Sequence, residues 1–199
     1  MTEHYFTADP EVADVRRLVE AEIWGRSFAF TTARGVFSAA RLDKATAVLL
    51  QASQPPTRSR TVLDLGCGWG PIACAIAATC PGVVVHAVDT NSRALELTRV
   101  NAERLGVLDR VHAMTPDQSP PHVSYDMIWS NPPVRVGKAE LHELLLRWLP
   151  RLAAGGTARL VMGKNLGSDS LQRWLVENDW PTERLTSVQG FRVLQVRRP

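Results

Sequence analysis

Val62-Leu63-Asp64-Leu65-Gly66-Cys67-Gly68-Trp69-Gly70 joins a short apolar run to a glycine-spaced loop. The run Thr61–Leu65 reads as a buried strand, and the apolar stretch beyond the loop, through Thr79, reads as a helix. The same alternation continues downstream. Val83–Val88 is a second buried run, and Ser92–Leu105 is a helix stopped by Gly106. Val111–Met114 is a third strand and Tyr125–Ser130 a fourth, separated by the polar loop Thr115–Ser124. Helix Ala139–Leu152 is expected to end at Gly155-Gly156, followed by a fifth strand, Thr157–Met162, and a helix, Ser168–Asn178. Arg184–Ser187 and Phe191–Val196 flank Val188-Gln189-Gly190, whose glycine suits a hairpin turn. Short strands alternating with helices predict an α/β fold with helices on both faces of a mostly parallel sheet. The final hairpin makes its C-terminal edge antiparallel. Right-handed crossovers put every loop that follows a parallel strand on one edge, where open α/β sheets bind ligands.

Upstream of the block, Pro10–Ile23 reads as an amphipathic helix, with Val12, Val15, Leu18, Val19 and Ile23 near helical spacing. Ser27–Thr32 alternates toward a short strand that Gly35 breaks, and Leu42–Gln51 is a second helix. The loop from Gln54 to Arg60 is the expected junction, so residues 1–60 form a lead-in and 61–199 the core of one domain.

The composition excludes several classes. The 199 residues, 22% charged and 45% hydrophobic, suit one globular domain. No apolar run approaches the roughly 20 residues needed to cross a bilayer. The N-terminus lacks the basic and apolar regions of a signal peptide, and Cys67, Cys74 and Cys80 form no Cys-x-x-Cys pair. A reduced, cytoplasmic protein with no metal site and no membrane partner is expected. The net charge of +3 permits a polyanionic partner without demanding one.

In the glycine loop, Gly66, Gly68 and Gly70 let the backbone turn tightly and approach a ligand, and the helix behind them offers unpaired N–H groups. Asp89 closes the second apolar run, the position at which an acid accepts ribose hydroxyls in such folds. Asn91 suits the N-cap of the next helix as well as a place beside the ribose. Dinucleotide enzymes share this logic, but the spacing here is Gly-x-Gly-x-Gly, and Asp64 stands on the strand ahead of it. On these residues the stretch from Val62 to Gly70 resembles the first motif of class I S-adenosylmethionine-dependent methyltransferases. The resemblance implies that class's Rossmann-like sheet, S-adenosyl-L-methionine as cofactor and S-adenosyl-L-homocysteine as product. It implies that Asp64 and the three glycines hold the methionine moiety and Asp89 the ribose. Thr90 and Asn91 join the candidates beside Asp89, and Cys67 joins within the loop, although packing is its simpler role. Family members often carry an acid near the adenine at the end of strand three. Here Met114 occupies that end, with Asp117 further on. Trp69 either lines the cofactor or covers the helix start.

Asn131-Pro132-Pro133 follows the fourth strand. Alone such a tripeptide is a turn. Placed here, the Asn131 side-chain carbonyl and the Pro132 backbone carbonyl are two acceptors for the two N–H groups of a planar amine, and the prolines preset the backbone. Asn131, Pro132 and Pro133 are therefore the catalytic candidates, with Asn131 also beside the cofactor. Thr31–Leu50, with Gly35-Val36-Phe37-Ser38 and Leu42-Asp43, and Asn131–Lys138 resemble the catalytic domain of the small-subunit ribosomal RNA guanine-N2 methyltransferases. That resemblance, to the RsmC-like "methyltransferase small" group, extends over nearly the whole chain. It implies methylation of a guanine N2 in RNA, with 16S rRNA or the small ribosomal subunit as partner. It also implies a cofactor-covering role for the segment before the sheet, which makes Phe37 and Ser38 site candidates. Enterobacterial members carry a second, inactive N-terminal copy of the domain; this chain reads as a single-domain form, so substrate docking is expected to differ or to depend on an assembled ribosomal particle. Relatives often place an aromatic residue or His after the prolines. Here Val134 follows, then Arg135, whose guanidinium is the alternative stacking surface. Arg135, Lys138, Lys164 and Asn165 fall on predicted loops at the ligand edge, as phosphate contacts or as solvated loop charge.

Other readings stay open. Enzymes with Asn-Pro-Pro-Tyr methylate adenine N6 or a protein glutamine amide, and Val134 in place of Tyr disfavours both. A non-catalytic cofactor- or RNA-binding partner is disfavoured by the intact loop and tripeptide, and an NAD-dependent oxidoreductase by the loop spacing. His142 reads as a helix-surface residue, and no Gly-x-Ser-x-Gly or His-Glu-x-x-His is present.

Overall fold

A computed structural model describes residues 12–133 and 137–199. The helix predicted from Pro10 to Ile23 is not what the described residues form, and Pro10 and Glu11 lie outside them. Strand β1, Arg16–Ile23, pairs antiparallel with β2, Arg26–Ala33, in a separate two-stranded sheet. The turn between them, Trp24-Gly25, has positive φ at both residues (51° and 71°), the geometry of a tight hairpin turn matched to strand twist. Along β1 the buried residues are Val19 and Ile23, with Ala21 half-buried between them, a period of two. Leu18, which completes the helical spacing in the sequence, is 60% exposed. Trp24 is held in its unusual conformation by its indole N–H, which donates to the carbonyls of Leu50 (2.9 Å) and Ser53 (2.8 Å).

The rest alternates as expected. Helix α1 is Lys44–Gln51, β3 Thr61–Leu65, α2 Pro71–Thr79, β4 Val84–Val88, α3 Ser92–Arg104, β5 Val111–Met114 and β6 Tyr125–Ser130. Then follow α4 Lys138–Trp148, β7 Leu152–Gly163, α5 Ser168–Glu177, β8 Thr182–Val188 and β9 Phe191–Arg197. The seven-stranded sheet has the order β5-β4-β3-β6-β7-β9-β8, parallel from β5 to β7 and antiparallel at β9 and β8. This is the mainly parallel Rossmann-like sheet with an antiparallel C-terminal edge.

Alternate side chains fill opposite faces, as the pleat requires. Val62, Val85, Ala87, Trp129 and Val161 pack with α2, α3 and the β1–β2 hairpin. Leu63, Val88, Ile128 and Leu160 pack with α4 and α5. Each fully buried aliphatic side chain contributes about 1.5–3 kcal/mol, so both faces are needed.

One further boundary departs from expectation. The predicted helix to Leu152 stops at Trp148, because Pro150 brings a 3-10 turn, Leu149–Arg151, and β7 begins at once. Leu152 pairs with Tyr125, and the ladder shifts register before Met127 pairs Thr157. Gly156 sits in that irregularity, where a Cβ would lie 2.9 Å from the Ala153 carbonyl oxygen. Among the described residues no helix is long and apolar enough to cross a membrane.

Candidate active site

The strand order reverses direction between β3 and β6, because β4 and β5 lie on one side of β3, and β6 and β7 on the other. Loops leaving adjacent parallel strands diverge at such a point and leave a crevice. Leu65 pairs with both Val88 and Ser130, so Gly66, Asp89 and Asn131 emerge side by side from the ends of three neighbouring strands. The cleft they border has a volume of about 440 Å3, inside the range of roughly 300–1,000 Å3 usual for small-molecule sites.

The wall formed after β3 and β4 is built by backbone. The N–H groups of Gly66 and Cys67 donate to the Val88 carbonyl (2.8 and 3.0 Å), folding the loop across the end of β4. Gly68 N–H donates to Asp89 Oδ2 and Asn91 N–H to Asp89 Oδ1, each at 2.9 Å. Burial raises the Asp89 carboxyl above its usual range, and the N–H groups of Asn91, Gly68 and Thr90 oppose that shift. Gly66 and Gly68 have positive φ, and a Cβ built on Gly68 would meet nothing within 4 Å. Backbone is thus bare toward the cleft where a ligand would approach.

A covering segment closes the same side. Asn91 both caps α3, its Oδ1 accepting from Ala94 N–H at 2.9 Å, and donates from Nδ2 to the Gly35 carbonyl at 3.0 Å. The Trp69 indole N–H donates to the Phe37 carbonyl at 3.2 Å while its ring packs on Phe30. Trp69 therefore holds the covering segment and is itself 2% exposed. Phe37, 41% exposed, and Ser38, at φ 53°, line the cleft mouth.

After β6, Asn131 is half-buried and Pro132 buried. Asn131 Nδ2 donates to Asp43 Oδ1 (2.9 Å) and Thr46 Oγ1 (3.0 Å), both at the start of α1. Asp43 also caps that helix, its Oδ1 accepting from Ala45 and Thr46 N–H. The amide nitrogen is thereby engaged by the start of α1, and among the described residues no side-chain hydrogen bond reaches Asn131 Oδ1.

Phe37, Ser38, Gly66, Gly68, Asp89, Thr90, Asn91, Asn131, Pro132 and Pro133 therefore share one cleft. Cys67 borders a smaller adjoining cavity. The three remaining candidates for the cofactor side lie elsewhere. Asp64 is fully buried beneath the loop, Oδ2 accepting from Ala73 N–H (3.0 Å) at the start of α2; burial, with the nearby Asp89 charge, pushes its pKa up to about 7. Gly70, at φ 82°, caps α2 and lies against Thr98, and Met114 is half-buried, with Pro116 lining the cleft in its place. Lys138 is the first residue of α4 rather than a loop residue, and borders a separate cavity with His142. Lys164 and Asn165 are exposed on a 3-10 turn after β7. Val134 and Arg135 lie outside the described residues. His142 stacks on Trp174 with ring centroids 3.6 Å apart. Sequence reasoning missed Asp43 and Thr46 as site residues, and Leu144, Met162, Leu166 and Phe191 as cleft walls. Of these only Asp43 stood in a stretch the sequence singled out, Leu42-Asp43; as the N-cap it starts α1 at Lys44, two residues later than the expected Leu42.

Residues 27–195 match the family model of the methyltransferase small domain. A relative in Bacillus subtilis, the uncharacterized protein YbxB, is 27% identical over 200 residues, covering all of both chains. Ribosomal RNA small subunit methyltransferase C of Klebsiella pneumoniae is 34% identical over 146 residues, covering 69% of this chain and 42% of that one. Among solved structures, the T. thermophilus 16S rRNA N2 guanine methyltransferase in complex with AdoMet and guanosine superposes with a TM-score of 0.80 at 26% identity. That match covers 96% of this chain and 52% of the other, so the chain spans about half the length of these two enzymes or less.

Proposed function

The chain belongs to the methyltransferase small domain family, and from that premise we propose that it methylates the exocyclic N2 amine of a guanine in RNA, with 16S rRNA as substrate. The cofactor is S-adenosylmethionine. The bare backbone at Gly66 and Gly68, and an Asp89 carboxylate with lone pairs left for a diol, fit that molecule. When bound, it supplies an electrophilic methyl group on a sulfonium sulfur.

The observation that carries the reading is the Asn131 carboxamide, whose nitrogen is tied to Asp43 and Thr46 while its carbonyl oxygen is left for a donor. An amine conjugated with a purine ring is a poor nucleophile, because its lone pair is delocalised. Asn131 Oδ1 and the Pro132 carbonyl accept one N–H each, which draws the nitrogen toward tetrahedral geometry and frees the lone pair. With the cofactor bound, Asn131 and Pro132 would hold the amine lone pair against its methyl group, and the sulfonium would supply that methyl and keep the electron pair of the bond given up. The surplus amine proton then leaves to solvent. No strong base is required; positioning and fixed dipoles carry the rate.

The test offers tritiated S-adenosylmethionine with small ribosomal subunits, naked 16S rRNA, DNA and protein, followed by mass spectrometry of digested nucleosides. N2-methylguanosine is expected, and it should be lost with Asn131→Ala. Label on adenine N6 or a glutamine amide, with guanine untouched, would reject the proposal.

A further inference from the structure

A carboxamide has two orientations of nearly identical shape, and only one of them offers an acceptor in a given direction. Asn131 needs that choice made, since its NH2 group turned toward the substrate amine would present donors to donors. Asp43 makes the choice on chemical grounds. A carboxylate oxygen only accepts, and Asp43 Oδ1 lies 2.9 Å from the Asn131 amide nitrogen. Flipping the amide would bring two acceptor oxygens to that distance. Thr46 Oγ1 supplies the second partner at 3.0 Å, so both amide protons have a place to go.

The neighbourhood makes this clamp stiff. Asp43 and Thr46 occupy the first turn of α1, Thr46 is 5% exposed, and both border the cavities beside the glycine loop. Asp43 Oδ1 also accepts the Ala45 and Thr46 N–H groups at 2.9 and 3.1 Å, so one oxygen joins the helix start to Asn131 across 88 residues of chain. On the methyl-transfer reading above, on which this inference rests, we propose that Asp43, with Thr46, is a positioning residue. It orients the Asn131 carboxamide so that Oδ1, not the amide nitrogen, meets the acceptor amine. Its negative charge, hydrogen-bonded to the amide nitrogen, also polarises the carboxamide and makes Oδ1 a stronger acceptor.

A helix cap alone is the competing role, and the variants separate the two. Asp43→Ser keeps a good N-cap but removes the carboxylate. Thr46→Val removes the hydroxyl at constant shape, and Thr46→Ser restores it. Three readouts are taken on the full chain: cofactor affinity by calorimetry, single-turnover methyl transfer to 16S rRNA, and solvent exchange of the Asn131 side-chain NH2 protons by NMR. The NH2 signals are assigned by their loss in Asn131→Ala. Asp43→Ser should slow transfer on the order of 10- to 100-fold, the scale of a misplaced catalytic group, with cofactor affinity and melting temperature nearly unchanged. Thr46→Val should lose less, and Thr46→Ser should recover it. The Asn131 NH2 protons should exchange slowly in the wild type and faster in Asp43→Ser. Wild-type transfer by Asp43→Ser, or a loss that merely follows cofactor affinity or stability, overturns the proposal. So does unchanged Asn131 exchange. If the wild type methylates no RNA at all, the proposed function fails, and the exchange comparison still decides whether Asp43 sets the amide.

Discussion

Asp64 sits fully buried with Oδ2 on Ala73 N–H, while Oδ1 has no partner among the described residues. A carboxylate at a helix N-terminus is favourable, but here burial outweighs it, and the pKa rises to about 7. Because that exceeds the unfolded value of about 3.9, the folded state binds the proton more tightly. Stability from this group is therefore greatest at low pH and falls as pH climbs from about 4 toward 7, where the buried group ionises. Asp64→Asn removes the ionisation. The melting temperature of Asp64→Asn relative to wild type should rise between about pH 4.5 and 8, and a difference that is flat with pH would mean that Asp64 does not titrate there. Asp89 makes the opposite case at the same scale. It lines the cleft, and its two oxygens already hold the Gly68 and Asn91 N–H groups. Asp89→Ala should weaken S-adenosylmethionine binding by about 1–3 kcal/mol, read by calorimetry, since hydroxyls gripped there lose their acceptor. Preference for NAD over S-adenosylmethionine would count against the whole cofactor assignment.

Among the elements, the turn from β3 into α2 tolerates little change. Gly70 has φ 82°, and an added Cβ would lie 2.9 Å from Thr98 Cγ2 and Oγ1. Thr98 cannot simply rotate away, because its hydroxyl donates to the Gly68 carbonyl at 2.9 Å. Gly70→Ala thus combines left-handed strain of about 1–2 kcal/mol with overlap costing about 1–3 kcal/mol. Denaturant unfolding should show a loss in that range, partly relieved by Thr98→Ala. The strands β3 to β6 were legible in sequence because glycine, proline and N-cap residues punctuate both ends of each apolar run. The hairpin β1–β2 was not, since its turn is carried by Trp24, a residue type that rarely takes positive φ, and Leu18 mimicked a helical period. The early start of β7 was hidden because Pro150 ends α4 through a 3-10 turn and a register shift follows. In the site, Gly66, Asp89 and Asn131 converge because each follows a strand end, which spacing reveals. The link from Asn131 to Asp43 is tertiary, between chemically ordinary residues far apart in sequence, and no local pattern announces it.

At the scale of the molecule the proposed function gives the cleft two ends with separable tasks, Asp89 and the glycine loop on one strand pair and Asn131 with the proposed α1 clamp on the other. Asn131→Ala should leave cofactor affinity nearly unchanged while sharply reducing turnover, because its oxygen serves only the amine being activated. The substrate must then reach that end from outside the protein. Lys164, on the 3-10 turn directly after β7, and Lys138, the first residue of α4, are both exposed cations. Exposed lysines contribute little to folding, so replacing them isolates their effect on a charged partner. If both contact RNA phosphates, the logarithm of RNA affinity should fall steeply with the logarithm of salt. Lys138→Ala and Lys164→Ala should each flatten that slope by roughly one unit, with little change in turnover at saturating RNA. A slope identical to wild type in both variants would remove these lysines from the RNA path and leave them as solvated surface charge.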